Sequence, residues 1–217
     1  MTTPFDDSQY PKGCDPPTIK IYGDIHSGNC YKIKLLCSLL SIPHRWIAVD
    51  ILNGETQTSE FLKMNPDGKI PLLVMEGGEC LAESNAILFY LAQNSHLLPE
   101  DNLQLARVLQ WQFFEQYSHE PYIAVARFIA RYLGLPEDRK EEYENKRAGG
   151  YRALDVMELR LQKGQFLVGN HCTIADISLY AYTHVADEGG FDLSRYPTIL
   201  DWLKRIQSLE GYIGMED

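Results

Sequence analysis

Residues 65–84, NPDGKIPLLVMEGGECLAES, say more about the fold than any other stretch of this 217-residue chain. Asn65-Pro66-Asp67-Gly68 is a turn signal: Asn and Asp bond their own backbone, Pro fixes φ and Gly accepts positive φ. Residues 70–75 read as a strand interrupted by Pro71, which cannot donate to a ladder and belongs at a strand's start or edge. Gly77-Gly78 then turns the chain into another strand around Cys80 and Leu81, which predicts an antiparallel hairpin. At Glu83-Ser84 the strand gives way to a helix over 84–93, with serine a favoured capping type.

Upstream of the hairpin, residues 18–22 alternate in character and end at Gly23, as a strand does. After an irregular stretch, residues 29–40 place Ile33, Leu35, Leu36, Leu39 and Leu40 on a wide apolar face, predicting a helix. Residues 46–50 read as a second strand. Residues 59–64 read as a short helix capped by Ser59 or Thr58. A strand, a helix and a strand in that order predict a parallel pair. The order βαβ followed by αββα is the thioredoxin-like arrangement, expected over residues 18–94. Residues 1–17 hold four prolines and polar residues and are expected to be a flexible extension.

Past a linker at 94–102 the strand signals stop, and residues 103–217 are expected to form an all-helical domain. A long aromatic-rich helix is predicted over 103–132, bent at Pro121. Another spans 137–162, where Gly149-Gly150 predicts a kink or a close helix contact. Thr173-Ile174-Ala175-Asp176 has capping-box spacing with Asp in place of Glu and opens an apolar helix to about residue 186. Pro197 starts a last helix over 198–209.

Bulk properties set limits on function. The formal net charge of −10 disfavours nucleic acid as a partner. No apolar run reaches the roughly 20 residues of a membrane span, nor is there a signal-peptide core, so a cytoplasmic protein without a membrane partner is expected. The five cysteines are odd in number and lack metal-type spacing, which predicts reduced thiols and no metal.

Four places carry polar chemistry. Ser27 precedes a helix, whose N-terminus offers unpaired N–H groups and positive partial charge; it reads either as a plain cap or as a donor to an anion. Ile70-Pro71 reads as an edge strand or, with a cis bond, as backbone offered to an extended ligand. Glu83-Ser84 reads as a cap beside a solvated carboxylate or as a site for an amino-acid head group. Lys69, with Thr56 and Gln57 in the preceding loop, is either surface charge or the holder of a second carboxylate.

Taken in order, Tyr22-Gly23…Ser27, Asn65-Pro66…Gly68-Lys69-Ile70-Pro71 and Glu83-Ser84…Ala86-Ile87…Tyr90-Leu91 resemble the N-terminal domain of cytosolic glutathione transferases. Thr173–Asp176 and Tyr196-Pro197…Trp202 match the family's helical domain, so the resemblance covers about residues 18–212. It has theta-, beta- and nu-class features. It implies a homodimer with glutathione as co-substrate and Ser27 and Asn29 at the reacting sulfur. Ile70 would then pair with the cysteinyl backbone, Glu83 and Ser84 with the γ-glutamyl group, and Lys69 with the glycine carboxylate. Thr56 falls near a theta-class histidine position and is carried over as a glutathione-binding residue.

By that resemblance Ser27 donates to the glutathione thiolate. A thiol pKa lowered by about two units corresponds to roughly 3 kcal/mol of differential stabilisation. The thiolate would attack a small hydrophobic electrophile in a second-substrate pocket formed by Phe114, Tyr117 and His119. Asn29 is also a feature of nu-class relatives that resemble disulfide-bond reductases, so disulfide or peroxide reduction is the alternative. A non-catalytic binding protein on the same fold is a third reading. Ser27-Gly28-Asn29-Cys30 has C-x-x-C spacing without the first cysteine; Cys30 lies a turn inside and is expected to be buried and inert. Arg127 is expected to serve a structural ion pair.

Overall fold

β1 (Lys20–Gly23) is the centre from which the sheet grows in the computed structural model, which describes residues 19–217. The extension expected over 1–17, and the first residue of the predicted first strand, lie outside the described residues. β1 pairs in parallel with β2 (Arg45–Ala48), Ile21 facing Trp46, and antiparallel with β3 (Leu72–Val74), Ile21 facing Leu73. β3 turns back antiparallel into β4 (Cys80–Leu81), giving the order β2-β1-β3-β4. The parallel pair and the hairpin are both as expected. β3 starts at Leu72 rather than at residue 70, because Pro71 has no N–H for the ladder.

Side chains alternate across this sheet and so feed two cores. Ile21 and Leu73 face the main core, with α1 (Gly28–Leu39) and α3 (Ser84–Leu91) packed on that side. Leu72 and Tyr22 face the other way, onto Phe61 of α2 (Ser59–Met64). The Oγ1 of Thr58 caps α2 by accepting from the Phe61 N–H at 3.3 Å.

The helical half begins with α4 (Asn102–Phe114), capped by Asp101. The single helix predicted over 103–132 runs on, but in segments: a π-turn (Glu115–His119), α5 (Glu120–Arg127), then a second π-turn (Phe128–Tyr132). Pro121 lacks an N–H and would crowd the carbonyl four residues back. The widened turn ahead of it relieves that conflict.

α6 (Lys140–Leu161) packs on α5. Gly149 and Gly150 make a close contact rather than a kink: a Cβ at 149 would collide with the Tyr122 ring, and one at 150 with Phe191. α7 (Ile174–Thr183) is buried along its whole length, and α8 (Pro197–Gln207) closes the domain. The Asp176 carboxylate accepts from Thr173 N, Leu167 N and Trp202 Nε1 at 2.9, 2.9 and 3.0 Å. α1 and α3 pack on α7, so one buried cluster draws on both sides of the 94–102 linker. No helix among the described residues is long and apolar enough to cross a membrane.

Candidate functional site

Two helix N-termini, those of α1 and α3, meet near the start of β3 and border a cavity of about 200 Å³. Asn29, Lys69, Ile70, Glu83 and Ser84 line it, so five residues scattered over 56 positions converge on one cavity. The Ile70–Pro71 bond is cis. Glu83 sits at φ 68°, ψ 111°, a conformation unfavourable for a side chain with a Cβ and common at binding sites. Lys69 is exposed and pairs with Asp67 at 2.8 Å, which raises its pKa.

Ser27 caps α1, its Oγ accepting from the Cys30 N–H at 3.4 Å. A hydroxyl that accepts in this way keeps its own hydrogen to donate; the capping reading is the one observed, and Ser27 is not among the residues that line the cavity. The loop before it is clamped: Arg127 donates to the His26 carbonyl at 2.8 Å and pairs with Glu188 at 2.6 Å. That is the structural ion pair anticipated for Arg127. Cys30 is fully buried, and desolvation pushes its thiol up to about 12 despite the hydrogen bond to Ser27, leaving it unreactive.

Ser84 differs from expectation in its partners. Its hydroxyl accepts from Lys32 Nζ at 3.2 Å and donates to Asn29 Oδ1 at 3.2 Å. A ligand carboxylate at α3 would therefore meet backbone N–H groups rather than this hydroxyl. Lys32 is fully buried and ion-paired with the equally buried Glu115 at 2.9 Å. Glu115 is held in turn by Asn85 Nδ2 at 2.9 Å.

Glu120 and Gln116 complete the cavity from the helical half. Burial and the neighbouring Glu115 hold the Glu120 carboxyl above its usual range, against Lys32 and a hydrogen bond with Asn29. The Tyr182 hydroxyl accepts from the Asn29 N–H at 3.4 Å. Sequence reasoning missed Lys32, Glu115, Glu120 and Tyr182. Lys32 and Glu115 did leave a signal: each occupies a core position on its helix, Lys32 four residues before Leu36 and Glu115 seven after Val108.

The other expected residues lie apart. Thr56 is buried in the turn before α2, accepts from Gln57 Nε2 at 3.3 Å, and is not among the cavity's lining residues. Phe114 borders a separate cavity of about 210 Å³ with Tyr122 and Val156. Tyr117 is 85% exposed. His119 is fully buried against Thr183 Oγ1 at 2.9 Å, and desolvation lowers its pKa to about 3. Phe114 ends α4 whereas Tyr117 and His119 lie in the π-turn, whose extra residue shifts the faces that regular helical spacing would bring together.

The sequence of residues 17–93 matches the family model of the glutathione S-transferase N-terminal domain, and residues 104–210 that of its C-terminal domain. A disulfide-bond oxidoreductase, YfcG, of Escherichia coli (strain K12) is 30% identical over 187 residues, covering 83% of this chain and 86% of that protein. The crystal structure of a glutathione S-transferase from Pseudomonas fluorescens Pf-5 superposes with a TM-score of 0.91 at 62% identity, covering 92% of this chain and all of that one. The glutathione transferase URE2P6 from Phanerochaete chrysosporium, solved in complex with oxidized glutathione, superposes with a TM-score of 0.81 at 26% identity, covering 90% and 93% of the two chains.

Proposed function

The chain belongs to the glutathione S-transferase family, and from that premise we propose that it binds glutathione in the cavity between α1, α3 and β3 and transfers the thiolate to small hydrophobic electrophiles. The observation that carries this is the convergence of Asn29, Lys69, Ile70, Glu83 and Ser84 on one cavity between two helix N-termini. Glu83 takes the ammonium of the γ-glutamyl group and the first N–H groups of α3 take its carboxylate. Ile70 pairs with the cysteinyl backbone, and Lys69 meets the glycine carboxylate, with Thr56 behind the loop. The sulfur then lies at the N-terminus of α1, where Ser27 and Asn29 donate to it and favour the thiolate. Attack forms a carbon–sulfur bond as the leaving group departs with its electron pair. The electrophile meets the sulfur at the α4–α5 side, which Gln116 and Glu120 face; Phe114, Tyr117 and His119 contribute only through local rearrangement.

One observation favours a second reading, reduction of a disulfide by glutathione at the same site: the 30% identity to a disulfide-bond oxidoreductase. Incubation with glutathione and either an aryl halide or a small disulfide separates them. Conjugation predicts a thioether product with the halide, and reduction predicts thiol release from the disulfide. Tight glutathione binding with turnover of neither supports a non-catalytic binding protein. The assembly is proposed to be a homodimer that covers the apolar side chains left exposed on α3 and α4, Tyr90 and Phe113 among them. A monomer by light scattering contradicts that. A reducing cytoplasm suits the four free cysteines among the described residues.

A further inference from the structure

Lys32 is the fifth residue of α1 and has no exposed surface, yet it carries a charge. A buried ion pair is poor evidence for stability, because well-packed apolar residues serve as well or better. What Lys32 touches suggests a different use. An ammonium group can only donate. Ser84 Oγ accepts from it at 3.2 Å, so the Ser84 O–H must be given elsewhere, and Asn29 Oδ1 lies 3.2 Å away to accept it.

That order fixes the Asn29 amide. Its oxygen accepts from Ser84, which leaves its NH₂ as the group that donates to Glu120, a residue of the cavity lining. We propose that Lys32 is a positioning residue: acting through Ser84, it aims the Asn29 amide N–H at the sulfur of bound glutathione. The inference rests on the glutathione reading of the cavity.

The anchor behind Lys32 reaches across the molecule. Glu115, from the π-turn between α4 and α5, pairs with it at 2.9 Å and accepts from Asn85 Nδ2 at 2.9 Å. Asn85 Oδ1 accepts from Ser178 of α7 at 2.5 Å. Asn29 is thus oriented by contacts from α1, α3, the π-turn between α4 and α5, and α7. The charged and titratable groups around it are Lys32 on its own helix, Glu115 and Glu120 on the helical side, Asp67, Lys69 and Glu83 on the cavity wall, and the Tyr182 hydroxyl.

The test compares the wild type with the double variant Lys32→Met/Glu115→Gln, which removes both charges, and with Ser84→Ala, which keeps the ion pair and breaks the relay. The pH titration of bound glutathione is followed by thiolate ultraviolet absorbance, and affinity for S-methylglutathione, which has no ionisable thiol, is measured in parallel. We expect S-methylglutathione affinity of the double variant to stay within about threefold, while in both variants the thiol of the glutathione that is bound becomes about tenfold less ionised at a given pH, a rise of about one pKa unit. Lys32→Arg, which still donates, keeps most of the wild-type ionisation. A wild-type thiol titration in Ser84→Ala, or in a folded double variant, overturns the proposal; should the double variant fail to fold, Ser84→Ala decides alone. Wild-type protein that binds neither ligand overturns the glutathione reading, and this inference with it.

Discussion

Replacing Asp176 by Ala should be among the most damaging single changes to stability. The carboxylate is fully buried and accepts from three N–H groups, Leu167 N, Thr173 N and Trp202 Nε1, and from the Thr173 hydroxyl at 3.0 Å. The hydroxyl can turn to another acceptor, but the three N–H groups are fixed in place. Leaving a buried donor unpaired costs about 1–3 kcal/mol, and relief from burying a carboxylate offsets part of that. We expect Asp176→Ala to lose about 3–5 kcal/mol. Asp176→Asn keeps the oxygen that serves Leu167 and Trp202 and should lose about half as much. Burial holds this carboxyl above its usual range, so the group favours folding below the ordinary carboxylate pKa and loses that contribution as pH rises through the raised value. Asp176→Asn should lack that dependence. Urea unfolding followed by tryptophan fluorescence measures all three. A loss under 1 kcal/mol for Asp176→Ala would refute the reasoning.

Other perturbations follow from single observations. His119 is held to about pH 3 by burial, so its contribution is present above the ordinary histidine pKa and is lost as pH falls toward 3. His119→Gln should flatten the acid limb of stability by up to about 1.4 kcal/mol per pH unit there, measured by urea unfolding across that range. Glu83→Gly removes the Cβ from a positive-φ position and should stabilise the fold by up to about 1 kcal/mol while weakening glutathione binding more than tenfold. Melting temperature and calorimetry separate the two effects. Gly149→Ala drives a Cβ into the Tyr122 ring between α5 and α6 and should cost about 1–3 kcal/mol, read as a lowered unfolding midpoint.

The parts of the fold legible in the sequence were those set by local chemistry. Pro71, Gly77-Gly78 and the cap ahead of Phe61 mark boundaries within a residue or two of where they lie. The paired glycines of α6 announced a contact without saying that Tyr122 and Phe191 fill it. The cavity's near wall was legible because the relevant residues sit at turns and helix starts. The far wall was not. Glu120 reaches the cavity only because a π-turn precedes α5, and an extra residue in a helical turn leaves no simple mark in hydrophobic periodicity. The same rotation upset the expectation for Phe114, Tyr117 and His119. Lys32 occupies a core position on α1, but that spacing alone does not show which group pairs with it, since its partner lies 83 positions away in the chain.

The most direct test of the central claim is calorimetric titration of the wild type and Ser27→Ala with glutathione, in buffers of different ionisation enthalpy at two pH values. The account predicts that the wild type binds and releases a proton as the thiolate forms, and that Ser27→Ala binds with less proton release. A wild type that shows no binding would contradict it and leave the cavity between α1, α3 and β3 without the ligand assigned to it here.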